Sequence, residues 1–367
     1  MKATTLASWE GRLRPLLTKL PPKTVVSQYS SGRLDFLDKL ELEIPSESHS
    51  PATTLSRNLW GINFRSPIMN SAGMFKNGKC YKMVAMQGAG AYLGGTGTWN
   101  SRRGNEKEDI YLPFTPYPNS HSASNWLGLP NDGDEVNSQR AKQLERVAGT
   151  PIGWSIMGSP DLQGEDKLKY LVDGMNLYAQ AGVDFIEINE SCPNTQHGRP
   201  QDDDLAKRLN YIRQNFLDQR SRRIPVIVKF SNDTQREQVP ALLDLLFEQG
   251  FDGVNFGNTS TAYAQRRDNI SDDEKRLYDF FTQTFGGGVS GRPLRESSLE
   301  LARTSVEYLK SGRPTQEFHV IRTGGIETLK DIQESESVGI SLNQWYTGYF
   351  ESFAKHGHDL YKQLFEE

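Results

Sequence analysis

The stretch that decides the fold is Val183-Asp-Phe-Ile-Glu-Ile-Asn-Glu-Ser-Cys-Pro-Asn-Thr-Gln-His-Gly-Arg-Pro-Gln201. Its opening, Val183–Ile188, is an apolar run of strand length. The chain then switches at once to amides, a thiol and turn-forming residues. A buried strand ending in polar residues is where an α/β barrel puts its chemistry. Asn189 and Asn194 supply donors and acceptors together, which suits a planar polar ligand. Cys192 stands between them and can serve as a base or a nucleophile. Pro193 restricts the backbone just after it. Read singly, Cys192 would be a small buried hydrophobe and the Asn-Pro-Gly text a turn. Their clustering behind a strand favours function without naming a reaction.

Outward from this unit, the alternation of strand, loop and helix repeats from residue 60 onward. Short apolar strands are expected at Pro67–Asn70, Ala91–Leu93, Ile152–Ile156, Phe185–Ile188, Val226–Val228, Gly253–Phe256, His319–Ile321 and Gly339–Leu342. Helical stretches fall between them, at Lys167–Ala181, Gln235–Gln249 and Ser297–Ser311. Such alternation implies a parallel sheet. Eight units predict an α/β (β/α)8 TIM barrel with an N-terminal extension; a doubly wound open sheet is the competitor. Two connections, Thr98 to about Asn137 and Thr261 to about Gly287, are too long for barrel loops and are expected to cover the barrel mouth.

Residues 1–50 form a separate helical or irregular extension, with the catalytic barrel over 51–367. Leu6, Trp9, Leu13, Leu16 and Leu20 fall at helical spacing, with Arg12, Arg14 and Lys19 elsewhere on the turn. Pro15 interrupts this pattern and Pro21-Pro22 are expected to stop it. A second apolar group follows at Leu34, Leu37, Leu40 and Leu42. The extension is read as packing on the barrel; the sharper alternative is a basic amphipathic element resting on a membrane surface.

The 367-residue chain carries a net charge of -4 with both signs interspersed, which gives no electrostatic case for nucleic acid. Two cysteines, Cys80 and Cys192, make no disulfide framework and favour a reducing compartment. No apolar run reaches transmembrane length, and the N-terminus lacks the apolar core of a secretory signal. His121, His197, His319, His356 and His358 lack ligand spacing with the cysteines, so no metal is expected.

Each strand ends in small or polar residues. The first gives Asn70-Ser-Ala-Gly73 and then Lys76, and the second Gly94-Gly-Thr-Gly-Thr98. The fifth ends in Lys229, costly at the end of a buried strand unless matched by an anion. The sixth ends in Asn255-Phe-Gly-Asn-Thr-Ser-Thr261. Gly286-Gly-Gly-Val-Ser-Gly291 precedes strand seven, Thr323-Gly-Gly325 ends it, and Tyr346-Thr-Gly348 ends strand eight. Glycine loops after strands seven and eight are the usual phosphate grip of barrels. Neither has the Lys-Ser/Thr of a nucleotide P-loop or the strand-one position of a dinucleotide fingerprint. A mononucleotide such as FMN fits better than NAD or ATP.

Together these residues resemble the dihydroorotate dehydrogenases, flavin enzymes of pyrimidine synthesis, over roughly residues 60–350. The resemblance rests on Asn70-Ser-Ala-Gly-Met-Phe-Lys-Asn-Gly78, Asn125-Trp-Leu-Gly-Leu-Pro-Asn131, Asn189-Glu-Ser-Cys-Pro-Asn194, Lys229, Asn258-Thr259, Gly287-Gly-Val-Ser-Gly-Arg-Pro-Leu294, Thr323-Gly-Gly-Ile326 and Tyr346-Thr-Gly348. It implies an FMN-bearing barrel that oxidises dihydroorotate to orotate, with Cys192 as the base at C5 and hydride passing from C6 to flavin N5. The substrate contacts it implies are Lys76, Asn125, Leu127, Gly128, Leu129, Asn189, Asn194, Asn258 and Thr259. For FMN it implies Ser71, Ala72, Gly73, Lys76, Gly95, Thr96, Asn125, Asn189, Lys229, Asn258, Gly291, Gly324, Gly325, Tyr346 and Thr347. Lys229 resembles the cation near the flavin N1–O2 edge, and Gly291, Gly325 and Thr347 resemble phosphate contacts.

The chain mixes two branches of that family. The cysteine base and Asn125–Asn131 resemble the soluble branch, which passes electrons to fumarate or a partner subunit. The N-terminal extension, Lys76 and Gly288–Leu294 resemble the membrane, quinone-reducing branch. That branch carries a Pro-Arg-x-x-Arg pattern after a Gly-Asn pair, whereas here Gly104-Asn105 is followed by Glu106-Lys-Glu-Asp-Ile-Tyr-Leu-Pro-Phe114. The balance leans to a soluble acceptor. The expected partners are dihydroorotate and an electron acceptor, with membrane contact through residues 1–50 and a homodimer as further expectations. The expected location is the cytoplasm, peripheral at the inner face of the membrane. Two competing readings are another FMN barrel acting on dihydropyrimidines or tRNA dihydrouridine, and a non-enzymatic barrel scaffold. The balanced charge argues against RNA, and a scaffold needs neither Cys192, Lys229 nor the amides.

Overall fold

The computed structural model describes residues 1–190, 204–312 and 316–366. Eight parallel strands form one sheet: β1 Ile68–Asn70, β2 Tyr92–Gly97, β3 Ile152–Ile156, β4 Phe185–Asn189, β5 Val226–Ser231, β6 Gly253–Asn258, β7 His319–Thr323 and β8 Leu342–Trp345. Each strand pairs in parallel with its sequence neighbour, and β8 pairs with β1. The remaining seam, between β1 and β2, is closed by a side chain flanked by single main-chain bonds. The Asn70 amide donates to the Leu93 carbonyl at 2.8 Å and accepts from the Leu93 N–H at 3.2 Å. Asn70 is fully buried, so its amide does there what a ladder does elsewhere. The result is the expected (β/α)8 barrel rather than an open sheet.

Period-two alternation sorts the strand residues between barrel interior and helix layer. Met69, Leu93, Phe185, Ile227, Ile321 and Leu342 pack inside the lower barrel with Leu59, Trp60 and Phe64. The last three come from a hairpin, Arg57–Leu59 with Ile62–Phe64, that plugs this end. Two residues further along the strands the interior turns polar, with Glu187, Lys229, Asn255, Thr323 and Gln344, all buried. The barrel is thus greasy below and hydrogen-bonded above.

Two differences from the sequence reading shape the barrel mouth. Strand eight runs Leu342–Trp345, not Gly339–Leu342, because Gly339 adopts a left-handed conformation (φ 98°) that ends the helix Leu329–Val338. Gly288–Gly291 is itself a strand. It pairs antiparallel with Ser122–Asn125, which pairs with Phe114–Tyr117. The two long excursions therefore meet in one small sheet.

The extension is two helices, α1 Ala3–Leu17 and α2 Pro22–Leu42. The expected interruption at Pro15 does not occur. Pro15 lies in the last turn of α1, where only the Gly11 carbonyl loses its helical donor. Pro22 starts α2 rather than stopping α1, since a first helical position needs no N–H. Glu43, just past α2, binds the first turn of α1, with the Thr4 hydroxyl donating to its carboxylate at 2.6 Å. The helix Thr347–His356 packs against α1 through Gly11, where an added Cβ would lie 3.1 Å from the Ala354 Cβ. Residues 1–50 therefore pack on the barrel, as the simpler reading expected.

Candidate active site

The upper end of the barrel opens into a cavity. Its walls include Ser71, Ala72, Gly73, Lys76 and Thr96 from the ends of β1 and β2, and Asn189 and Lys229 from β4 and β5. Asn258 and Thr259 follow from β6, with Gly324, Gly325, Tyr346 and Thr347 from β7 and β8. The small sheet above contributes Asn125, Leu127, Leu129, Ser290 and Gly291. Gly95 and Gly128 stand behind this lining. The Gly95 carbonyl accepts from the Gly73 N–H at 2.8 Å, and the Gly128 carbonyl accepts from Arg102 at 3.1 Å. Cys192 and Asn194 lie outside the described residues. The sequence reading did not single out Phe114, Leu294 or Gln344, which also line the cavity. Gln344 carried no signal, because the sequence reading ended strand eight at Leu342.

The amides form a chain. Asn258 donates to the Asn189 carbonyl oxygen at 2.8 Å, and Asn189 donates to the Thr96 hydroxyl at 3.4 Å. Thr96 Oγ1 in turn lies 3.0 Å from Ser155 Oγ. Such a row fixes which amide edge each residue turns to a ligand. Thr259 Oγ1, in the cavity wall, is buried without a hydrogen-bond partner among the described residues. Orphaned buried polar atoms at a cavity are what a ligand satisfies.

The phosphate-type end is built on glycine. Gly291 has φ 91°, and a Cβ there would lie 2.2 Å from the His121 carbonyl oxygen. Gly325 has φ 70°, and a Cβ there would lie 2.5 Å from Arg295 Cα. Only glycine combines such backbone angles with such close approach. Ser290 Oγ lies 3.0 Å from Thr347 Oγ1, tying the small sheet to the loop after β8. Behind this end sits Arg322 on β7, fully buried. It donates to the Ser298 hydroxyl at 3.1 Å, the Ser335 hydroxyl at 3.0 Å and the Arg295 carbonyl at 3.0 Å. Burial pushes its guanidinium down to about 10, and its donors pin the helices that follow Gly291 and Gly325. The glycine cradle and the orphaned Thr259 oxygen fit a phosphorylated planar cofactor such as FMN.

A second cavity lies between α1, α2 and the barrel. Leu6, Ala7, Phe36, Phe350 and Phe353 are among its apolar walls. It shares Phe114, Tyr346 and Thr347 with the first cavity. Two polar groups interrupt the apolar lining. Arg33 on α2 donates to the Tyr346 hydroxyl at 3.0 Å. Arg14 pairs with Glu10 at 2.6 Å and with Glu351, while the Tyr29 hydroxyl donates to Glu10 at 2.8 Å. Burial works against the Arg14 charge, but the two carboxylates outweigh it and hold its pKa above the ordinary value.

Comparison with known proteins agrees with this geometry. A dihydroorotate dehydrogenase from Aeromonas hydrophila, named as the quinone type, is 31% identical over 312 residues, covering 83% of this chain and 84% of the relative. Another of that name, from Christiangramia forsetii, is 27% identical over 350 residues, 93% of this chain and 94% of the relative. The Eimeria tenella enzyme solved with ferulenol superposes with a TM-score of 0.73 at 21% identity, covering 94% of this chain and 89% of that one. Its ligand-free form gives a TM-score of 0.71 at 23% identity, covering 96% and 93%. These solved structures share the fold. The family model for dihydroorotate dehydrogenase matches residues 54–366, and the chain belongs to the dihydroorotate dehydrogenase family.

Proposed function

We propose that the protein oxidises dihydroorotate to orotate in pyrimidine synthesis, with FMN as its resident flavin and a membrane quinone as second acceptor. The observation that carries the acceptor assignment is the junction at Phe114, Tyr346 and Thr347, where an apolar cavity meets the polar one. The mostly apolar walls suit a hydrophobic acceptor better than a soluble dicarboxylate such as fumarate, because Arg14 there is already paired with Glu10 and Glu351. The names of the relatives point the same way.

FMN, held by the glycine loops, Thr347 and Lys229, would accept hydride from substrate C6 and pass two electrons onward. The chain's own residues do the rest. Asn125, Asn189, Asn194, Asn258 and Thr259 orient the pyrimidine by its amide and carbonyl edges. Cys192 takes the C5 proton, so that the C5–C6 double bond forms as proton and hydride leave. Leu127 and Leu129, both buried, exclude water from the ring.

The exposed face of α1 supports a resting place on the membrane. Trp9, Leu13 and Leu16 on α1 are 59%, 44% and 65% exposed, and Leu20 just beyond it 39%, whereas the small Ala3 and Ala7 face inward. That reverses the usual arrangement of a surface helix and, with Arg12 and Lys19 exposed nearby, suits an interfacial helix. No helix of the described residues is long and apolar enough to cross a membrane.

The test is anaerobic addition of dihydroorotate to the yellow protein, followed by turnover with a quinone, fumarate and NAD offered separately. Flavin bleaching and turnover with quinone are expected. Turnover with fumarate alone overturns the acceptor assignment, and a flavin that stays oxidised overturns the dehydrogenase. Cys192→Ala is expected to keep its colour and lose about 10²- to 10⁴-fold in bleaching rate, the usual worth of a general base. Cys192→Ser should retain part of that rate.

A further inference from the structure

We propose that Glu187 is the counter-ion of Lys229, a positioning residue that aims the lysine at the flavin ring and holds the flavin's reduction potential down. This rests on the FMN reading above. Glu187 occupies an inward position on β4 and is 1% exposed. An isolated carboxylate in a barrel interior is costly, and it persists only when matched by charge and hydrogen bonds. Glu187 has both. Its Oε1 accepts from Lys229 Nζ at 3.3 Å, and its Oε2 accepts from Asn255 at 3.0 Å and Gln344 at 2.7 Å.

Lys229 is fixed from two sides. Besides Glu187, its ammonium donates to Gln344 Oε1 at 3.2 Å. Gln344 Oε1 also accepts from Thr323 at 3.0 Å. An ammonium carries three hydrogens. Two have partners among the described residues, which leaves the third for the cavity that Lys229 lines. Glu187 is the carboxylate paired with Lys229 among the described residues. The five-residue layer Glu187, Lys229, Asn255, Thr323 and Gln344 is therefore a rigid polar floor beneath the ring.

The electrostatic consequence is specific. A cation beside the ring stabilises the negative charge that reduction adds. A carboxylate 3.3 Å behind that cation turns a point charge into a dipole and cancels part of its field. Lys229 then orients the ring and offers a hydrogen bond without the full pull of an unmatched charge. The pair keeps the flavin able to hand electrons on rather than trapping them.

The test is the two-electron midpoint potential of the flavin-loaded protein. Glu187→Gln preserves shape and removes the charge. It is expected to shift the oxidised–reduced equilibrium toward reduced flavin by about tenfold, or about 30 mV, at unchanged flavin stoichiometry. An unchanged or lower potential in a flavin-loaded Glu187→Gln protein overturns the proposal. Should that variant fail to fold, Glu187→Met combined with Lys229→Met buries no unmatched charge and decides instead. Its equilibrium is expected to shift by less than about tenfold, because Glu187 cancels part of the lysine field that is removed with it. A shift of about tenfold or more toward oxidised flavin, the result if the ring senses the lysine alone, overturns it. Wild-type protein that binds no flavin overturns the FMN reading itself, before any variant is made.

Discussion

Arg33 on α2 donates to the Tyr346 hydroxyl at 3.0 Å, joining residues 313 positions apart. Its guanidinium also lies 5.9 Å from the centroid of the Phe114 ring. Phe114 and Tyr346 are two of the three residues common to both cavities. The N-terminal extension thus places a cation where the two cavities meet. In the quinone-reducing branch a Pro-Arg-x-x-Arg pattern is expected after Gly-Asn, and this chain lacks it after Gly104-Asn105. Arg33 is suited to take over from a different element. Arg33→Ala is expected to raise KM for the quinone about tenfold or more, the worth of a hydrogen bond to a charged group. The rate of flavin reduction by dihydroorotate should stay within about twofold, since Arg33 does not line the polar cavity. Stopped-flow measurement of the two half-reactions separates these effects. Equal slowing of both would show that Arg33 only supports the fold.

The outward apolar stripe of α1 gives a second expectation. Trp9→Ser, Leu13→Ser and Leu16→Ser combined should leave the barrel intact, because exposed substitutions usually change stability by less than about 0.5 kcal/mol each. Co-sedimentation with anionic phospholipid vesicles should fall about tenfold or more, while dihydroorotate still bleaches the flavin. Vesicle binding equal to wild type would remove the membrane role from this face.

Much of the barrel was legible because its signals are local. Ile186, Ile188, Val226 and Val228 are fully buried, and such runs between helices read as parallel strands without knowledge of their partners. The strand ends were legible for the same reason, since each polar cluster directly follows its own apolar run. What escaped was non-local. Gly288 faces Asn125 across an antiparallel ladder, and no local pattern pairs segments so far apart. The Gly-Gly-Gly-Val-Ser-Gly text therefore read as a loop. Glu187 read as one polar letter in an apolar strand, because its partners lie on β5, β6 and β8. Arg33 had no signal at all: on an isolated helix it is an ordinary surface arginine.

Gly325 tests the phosphate grip. Its φ of 70° is unfavourable for any side chain, and an added Cβ would press on the Arg295 backbone at 2.5 Å. Relief requires moving the loop after β7 away from the helix Arg295–Lys310. Gly325→Ala is therefore expected to be purified with at least about tenfold weaker flavin retention, read from the visible-to-ultraviolet absorbance ratio. Its far-ultraviolet circular dichroism should match wild type, because the strand and helix on either side are unaffected. Full flavin content in this variant would place the phosphate elsewhere.

Asp134 sets a pH dependence apart from the chemistry. Its carboxyl is fully buried. One oxygen accepts from the Tyr178 hydroxyl at 2.8 Å, and the other has no hydrogen-bond partner among the described residues. Burial pushes the carboxyl up to about 7. The folded value therefore lies above the unfolded one of about 3.9. Between those values the folded state holds a proton that the unfolded state has released. Stability then falls as pH rises through that window, by about 1.4 kcal/mol per pH unit at most. Below about pH 4 both states are protonated and the contribution levels off. Asp134→Asn keeps an acceptor for Tyr178 and removes the titration. Urea unfolding at a series of pH values should show the wild type losing a few kcal/mol between about pH 4 and 7 relative to Asp134→Asn. The variant should be the more stable protein at pH 8. Parallel curves for the two proteins across that range would mean that the buried carboxyl ionises as readily folded as unfolded.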